Sequence, residues 1–451
     1  MKKKVLPYFL SCAVLFSSLV PPLAAAPNFK PGAFLRDAEI ESILTDFISP
    51  IFRVAGLNPN DIHIYIINNS DLNAAAGPNY SFFLNSGFLI DASSADEIVG
   101  VLAHETGHIA DGHILNRLEA MERASIMALA AMVLGAAAAA AGSPDAATGL
   151  ALGGALSAQY TFLHYSRGQE ASADQAGVRF LDRLGWSSRG FLSFMKKLKT
   201  QDLLNSDQQD GYLRTHPLTS DRVDFLSNYV AHSKLADKEL PEHLQREFAR
   251  MKLKMMAFLM PGRLQMQLSS DDQTFEARYA RSILQFMSNN HDEALRNLDS
   301  IIKETPKDPY LYDLKGQILY DKGDIHSASS AYKKALSLAP EQTLIALAYA
   351  QCLLEMADPG STMEAFKLVK TAVKKEEKNP FAWQLLAIAY GKQGNIGMSA
   401  LSLAEKALAD DNYPTAKEQS ERALKLLKDG PSKQRAKDIF DYVNLLEKQK
   451  G

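Results

Sequence analysis

His104-Glu105-Thr106-Gly107-His108 places two imidazoles four residues apart with a carboxylate beside the first. On an α-helix, residues i and i+4 share a face one turn apart. His104 and His108 can therefore ligate one metal ion, while Glu105 sits about 100° round the helix and can reach a water on it. That is the donor set of a zinc hydrolase: two nitrogen ligands, a general base, and a third ligand from elsewhere.

The third ligand is not supplied by the same helix. Zinc peptidases of the metzincin kind need Gly at position 111 and His at 114, and the chain has Asp111 and Ile114. His113 lies about 140° from His108 on a continuous helix, which makes it a solvated or locally bonded histidine. A second helix supplies Glu170 and Asp174, again at i, i+4. One ligating carboxylate with another nearby matches the gluzincin pattern. His216 precedes Pro217, which holds it in an extended loop, either at the surface or aimed into a site.

Ser94-Ala95-Asp96-Glu97 forms a capping-box start for the first helix, which is expected to run to about Glu122. Ser166-Arg167-Gly168-Gln169 starts the second, and Gly185 stops it. Upstream, Ile62–Ile67 reads as a strand with Ile62, Ile64 and Ile66 inward and His63 on the surface. Asn73–Pro78 is turn-rich. Tyr80–Leu84 reads as a second strand, either a natural edge on which an extended substrate could dock or an ordinary sheet strand. Ala124–Ala141 carries no charge. Residues 124–163 are therefore expected to form an alanine-rich helical hairpin that packs over the site or rests on a membrane, with a transmembrane hairpin as the alternative.

At 451 residues the chain is long for one core, so two domains are expected. Hydrophobic residues make up 46% and charged residues 22%, which is ordinary for a globular protein. The net charge of -3 and the lack of a basic block argue against nucleic acid. Residues 1–26 read as a secretory signal peptide: three lysines, an apolar run, then Ala24-Ala25-Ala26. Only Cys352 remains after its removal, so no disulfide can form within the mature chain.

The C-terminal part repeats with a period of 34. Ala294, Leu298, Ile301 and Pro306 recur as Ala328, Tyr332, Ala335 and Pro340. Looser units follow near Ala365 and Trp383. This period identifies tetratricopeptide repeats, helix pairs that stack into a partner-binding solenoid. Met251, Met255, Met256 and Met260 precede it and read as core filling. The expected fold is mainly α with a small β-sheet: a zinc peptidase domain over 27–265, then an α-solenoid over 270–451.

With these motifs assembled, the chain resembles the exported zinc metallopeptidases of the HtpX and CAAX-prenyl-endopeptidase family, in a form with C-terminal repeats. The resemblance rests on His104–His108, on Ser166-Arg167-Gly168-Gln169-Glu170-Ala171-Ser172-Ala173-Asp174, and on the repeats. It implies one zinc ion per subunit, held by His104, His108 and Glu170, with Glu105 as catalytic base. Asp174 is implied as a catalytic or proton-donating acid, and orienting a ligating histidine is a physically equal role. His216 is implied to contact the metal or polarise the substrate carbonyl. If it closes the fourth position, the enzyme rests inactive until it moves.

The resemblance further implies a periplasmic endopeptidase that degrades misfolded or stalled outer-membrane proteins and helps assemble them. Its partners would be unfolded envelope proteins, the outer-membrane assembly machinery through the repeats, and a peripheral membrane surface. The single mature cysteine departs from relatives that carry a repeat-domain disulfide. Two other classes stay open: a periplasmic repeat chaperone or scaffold with a latent zinc site, and a membrane-embedded metallopeptidase.

Overall fold

A computed structural model describes residues 30–114, 167–204, 212, 216–356 and 358–450. The signal segment and the 124–163 stretch lie outside the described residues. In chain order the first elements are β1 (Phe34–Leu35), α1 (Ala38–Val54), β2 (His63–Ile67), β3 (Ala74–Gly77), β4 (Ser81–Asn85), α2 (Ser86–Asp91) and α3 (Ala95–Ala110). A helix over 167–184, α4, follows, then α5 (Arg189–Leu204), α6 (Ser220–His232), α7 (Glu242–Leu259) and α8 (Pro261–Gln267). The repeats are antiparallel helix pairs: α9 (Phe275–Met287) with α10 (His291–Glu304), α11 (Pro309–Asp321) with α12 (Ile325–Leu338), and α13 (Thr343–Glu355) with α14 (Pro359–Lys375). Two further pairs are α15 (Pro380–Lys392) with α16 (Ile396–Ala409), and α17 (Tyr413–Leu426) with α18 (Pro431–Lys450).

The sheet has the order β1-β2-β4-β3, with β2 and β4 parallel and the outer pairs antiparallel. This corrects two expectations. Tyr80–Leu84 corresponds to β4, which is internal, because the supposed turn at Asn73–Pro78 contains the strand β3 and forms the true edge. Alanine and glycine have low strand propensity, but pairing with β4 overrides it. Ile66 is buried and His63 exposed, as the alternation requires.

Helix α3 also ends earlier than expected. Gly112 adopts φ 66, a left-handed value, while the Asp111 amide donates to Gly107 O and the Gly112 amide to Ile109 O, which closes the helix at Ala110. Its start is right, but the reciprocal capping bonds do not form. Ser94 makes no side-chain cap; Glu97 accepts from Ser93 N at 2.9 Å and binds Lys197 Nζ of α5 at 2.7 Å. Gly185 ends α4 as anticipated: its amide reaches Asp182 O and the next amide, Trp186, reaches Leu181 O, the pairing of a Schellman motif.

The hydrophobic core runs from α1 through Phe82 and Leu84 of the sheet and Leu102 of α3 to Met251 of α7, and continues into the repeats as far as Ile318. The methionines at 251, 255 and 256 are buried in it, as core filling. Ala294, Leu298, Ile301, Ala328, Tyr332 and Ala335, the helical residues of the repeat period, are all buried, as is Cys352, whereas Pro306 and Pro340 are exposed. Among the described residues, no helix is long and apolar enough to cross a membrane.

Candidate metal centre

Helices α3 and α4 cross almost in backbone contact. A Cβ on Gly107 would lie 2.9 Å from Ala173 O, and one on Gly177 would lie 3.1 Å from His104 N. Two glycines, one from each helix, thus let the histidines of α3 meet the carboxylates of α4.

At that crossing His104 Nε2 and His108 Nε2 are 3.2 Å apart. Glu170 faces both, with Oε2 3.4 Å from His104 Nε2 and Oε1 3.4 Å from His108 Nε2. His216 adds Nδ1 at 3.1 Å from Glu170 Oε1. All four residues are buried, and their donor atoms lie within 4.8 Å of one another, so they could hold a metal ion. A tetrahedral ion with bonds of ~2.0–2.1 Å needs ligand atoms about 3.3–3.4 Å apart. The 3.2–3.4 Å spacings among His104, His108 and Glu170 fit that requirement.

Glu105 is wholly buried. Its Oε2 accepts a hydrogen bond from Ala76 N of β3 at 2.7 Å. Its Oε1 has no hydrogen-bond partner among the described residues and lies 3.5 Å from His216 Nε2. A buried carboxylate oxygen without a donor is costly unless water, a metal or a substrate satisfies it.

Behind the histidines is a layer that fixes them. Asp174 Oδ1 is 2.9 Å from His104 Nδ1, on the side of the ring away from the donor cluster. Arg222 of α6 binds Asp174 in a bidentate pair at 2.7 and 2.8 Å and reaches Glu170 Oε2 at 2.9 Å. It also donates to Pro217 O at 3.1 Å, which ties down the loop that carries His216. Tyr212 stacks on the His216 ring at 4.6 Å. Arg222 is thereby committed to two carboxylates and a carbonyl rather than free to face a substrate.

Burial opposes protonation of His104, but Asp174 and Glu170 outweigh it and lift its pKa to about 9. Burial dominates at His108 and lowers its pKa to about 4. Burial alone would raise Glu170 and Asp174. The histidines around Glu170 and the guanidinium on Asp174 overcome that and hold both in the carboxylate form.

His113 is the locally bonded histidine that the sequence allows, and its partner is a member of the cluster. His113 Nδ1 lies 3.0 Å from His108 Nδ1, so His113 orients a histidine of the cluster. The separation of about 140° from His108 holds only on a continuous helix. The left-handed turn at Gly112 swings His113 back toward His108, and Asp111-Gly112 is itself a turn signal in the sequence. His63 stays on the exposed sheet surface, remote in role from the cluster.

Residues 35–230, which include every residue of this cluster, match the model of peptidase family M48. Residues 294–402 match the cytochrome c-type biogenesis protein H TPR domain. A beta-barrel assembly-enhancing protease of Yersinia pestis is 23% identical over 366 residues, covering 78% of this chain and 74% of that protein. The protein of that name from Escherichia coli (strain K12) is 24% identical over 388 residues, covering 81% and 75%. Metalloprotease YcaL of the same strain is 28% identical over 178 residues, covering 40% of this chain and 66% of its own length. The histidine and carboxylate cluster therefore belongs to a metallopeptidase domain of family M48, which this chain carries ahead of a TPR-type repeat domain.

Proposed function

We propose that this protein is a zinc-dependent endopeptidase of the bacterial cell envelope, which degrades misfolded or stalled outer-membrane proteins and assists their assembly. The observation that carries the reading is Glu105 Oε1, buried without a donor beside four converging ligand atoms. His104, His108 and Glu170 would hold one zinc ion per subunit, with His216 as a fourth donor. Zinc, when bound, acidifies water and polarises a carbonyl.

The remaining work falls to the chain's own groups. Glu105 Oε1 takes the proton of the attacking water and passes it to the leaving amine. Asp174, clamped by Arg222, holds the Nδ1–H of His104 and so orients that ring. A catalytic site needs an open position, so His216 must withdraw for substrate to enter. The substrate lies extended along the outer edge of β3, where the Ala76 amide already meets Glu105. Residues 1–26 export the protein to the periplasm. Residues 27–265 act as the catalytic unit, and 270–451 capture unfolded envelope proteins or dock on the outer-membrane assembly machinery. The names of the relatives support that task.

A second reading is favoured by His216 alone. Four protein donors without an open position make a closed, structural kind of site. In that case the repeats work as a chaperone or scaffold around a latent centre. Full-length protein and its Glu105→Gln variant separate the two. Both should bind one zinc per chain, and only the wild type should cleave casein or an unfolded outer-membrane protein, with the variant at least ~10²–10⁴-fold slower. Equal cleavage by the variant would remove Glu105 as base. Zinc binding without cleavage by either protein would favour the latent site.

A further inference from the structure

The outer edge of β3, which pairs with no other strand among the described residues, comes with an aromatic surface. Asn85 N bonds Asn73 O, and the antiparallel register pairs Ala75 with Phe83 and Gly77 with Ser81. Alternation then turns the amides and carbonyls of Ala74 and Ala76 away from β4. The Ala76 amide, bonded to Glu105 Oε2, shows that this outward row lies at the catalytic base.

The face of the sheet opposite the core carries a row of rings. Phe34 of β1 lies 5.7 Å from Tyr65 of β2, and Tyr65 stacks on Phe83 of β4 at 5.0 Å and 14°. The row ends at β3, where the residues on this face are small. Ala75 stands opposite Phe83, and a Cβ on Gly77 would lie 2.6 Å from Phe83 Cε2. The Phe83 ring therefore lies across β3 at a position that only glycine leaves open, and it reaches the edge of the sheet. Phe34 is 59% exposed.

A strand added to β3 would place alternate side chains on this face, directly opposite Ala75 and Gly77. Those positions flank the peptide bond presented at Ala76 and Glu105. We propose that Phe83, backed by Tyr65, determines specificity by selecting extended polypeptides with an aromatic side chain next to the scissile bond on the outer face. The favoured substrate class is a chain of alternating pattern with aromatic residues, which an unfolded β-strand protein supplies in quantity. This inference rests on the reading that substrate pairs with β3.

The test uses the full-length zinc-loaded protein and quenched-fluorescence peptides that differ only by phenylalanine or alanine at each position flanking the cleaved bond. Wild type should favour one phenylalanine peptide by roughly three- to tenfold in kcat/KM, the range of one aromatic pairing. In Phe83→Ala that ratio should fall to near one at wild-type metal content, and Phe83→Tyr should restore it. Tyr65→Ala, which leaves the Phe83 ring in place without its stacking partner, should give an intermediate ratio and serves if Phe83→Ala fails to fold. An unchanged ratio in Phe83→Ala or Tyr65→Ala, with cleavage still dependent on Glu105, would overturn the specificity role and leave the peptidase assignment standing. Absence of Glu105-dependent cleavage in the wild type would overturn both.

Discussion

The cluster at the α3–α4 crossing and the cluster around Glu39 both bury carboxylates, yet they satisfy them differently. Glu39, 1% exposed at the start of α1, receives Lys254 Nζ at 2.9 Å and Tyr279 Oη at 2.7 Å, and it pairs with Arg250. Lys254 also reaches Asp37 at 2.7 Å, Arg250 also pairs with Asp308, and the Arg250 guanidinium lies 4.7 Å from the Tyr279 ring. Each charge meets an opposite one from another element, so α1, α7 and the first two repeats are fastened together. At the crossing, Arg222 pairs with Glu170 and Asp174, while Glu105 Oε1 has no hydrogen-bond partner among the described residues and the Nε2 atoms of His104 and His108 point at one another. Asp174 and Glu170 hold a proton on His104, with a pKa of about 9, and a divalent cation would take that proton's place and neutralise the remaining carboxylate charge. Buried charge that is paired within the chain marks a joint, whereas buried charge aimed at a common point marks a site.

Removal of Glu39 should have the largest effect. Glu39→Ala leaves Lys254 and Arg250 buried without their shared partner, a loss of about 3–5 kcal/mol. Urea unfolding should show that loss, while zinc per folded chain stays at the wild-type value. A loss under about 1 kcal/mol would mean that the joint is held by apolar packing, and that the contrast with the metal centre is only one of geometry.

A smaller effect is expected within the metal centre. His113→Ala removes the partner of His108 Nδ1 and frees that ring to rotate. Zinc affinity, measured by competition with a chelator, should fall ~10–100-fold, as for loss of an orienting partner. Unfolding of the metal-free protein should change little, because His113 is partly exposed. Unchanged affinity would place the orientation of His108 in the hands of Glu170 alone.

The unequal legibility of these clusters in the sequence has physical causes. His104 and His108, and Glu170 and Asp174, sit at i, i+4 spacings on two helices, with Glu105 next to His104, so local periodicity brings each pair together before any tertiary contact forms. The repeat residues Ala294 and Ala328 were readable for a different reason, their recurrence 34 residues apart. Glu39, Lys254 and Tyr279 are more than two hundred residues apart at the extremes, and no local pattern announces that they meet. The edge strand was misread because Ala74–Gly77 has the composition of a turn. Its small residues are needed by the Phe83 ring that crosses them, a demand visible only after pairing. Local bonding of His113 was legible, but not its partner His108, because one left-handed glycine changes the direction of the residues after it.

The finest test of the comparison lies beside the joint, at Asp313. Burial, strengthened by Asp37 and Glu39 against the pull of Lys254, raises its pKa to about 7. In the unfolded chain the carboxyl titrates near its ordinary value of about 4. Between these values the folded protein keeps a proton that the unfolded chain has lost. The contribution of Asp313 to stability is therefore complete below about pH 4 and is lost as pH rises through 7. Asp313→Asn, which carries no charge at any pH, should be more stable than wild type at pH 8. Partial exposure reduces the gain to about 1 kcal/mol. The gain should shrink as pH falls and vanish near pH 4 in urea unfolding. An equal gain at both pH values would show that the side chain's shape, and not its unpaired charge, limits the joint.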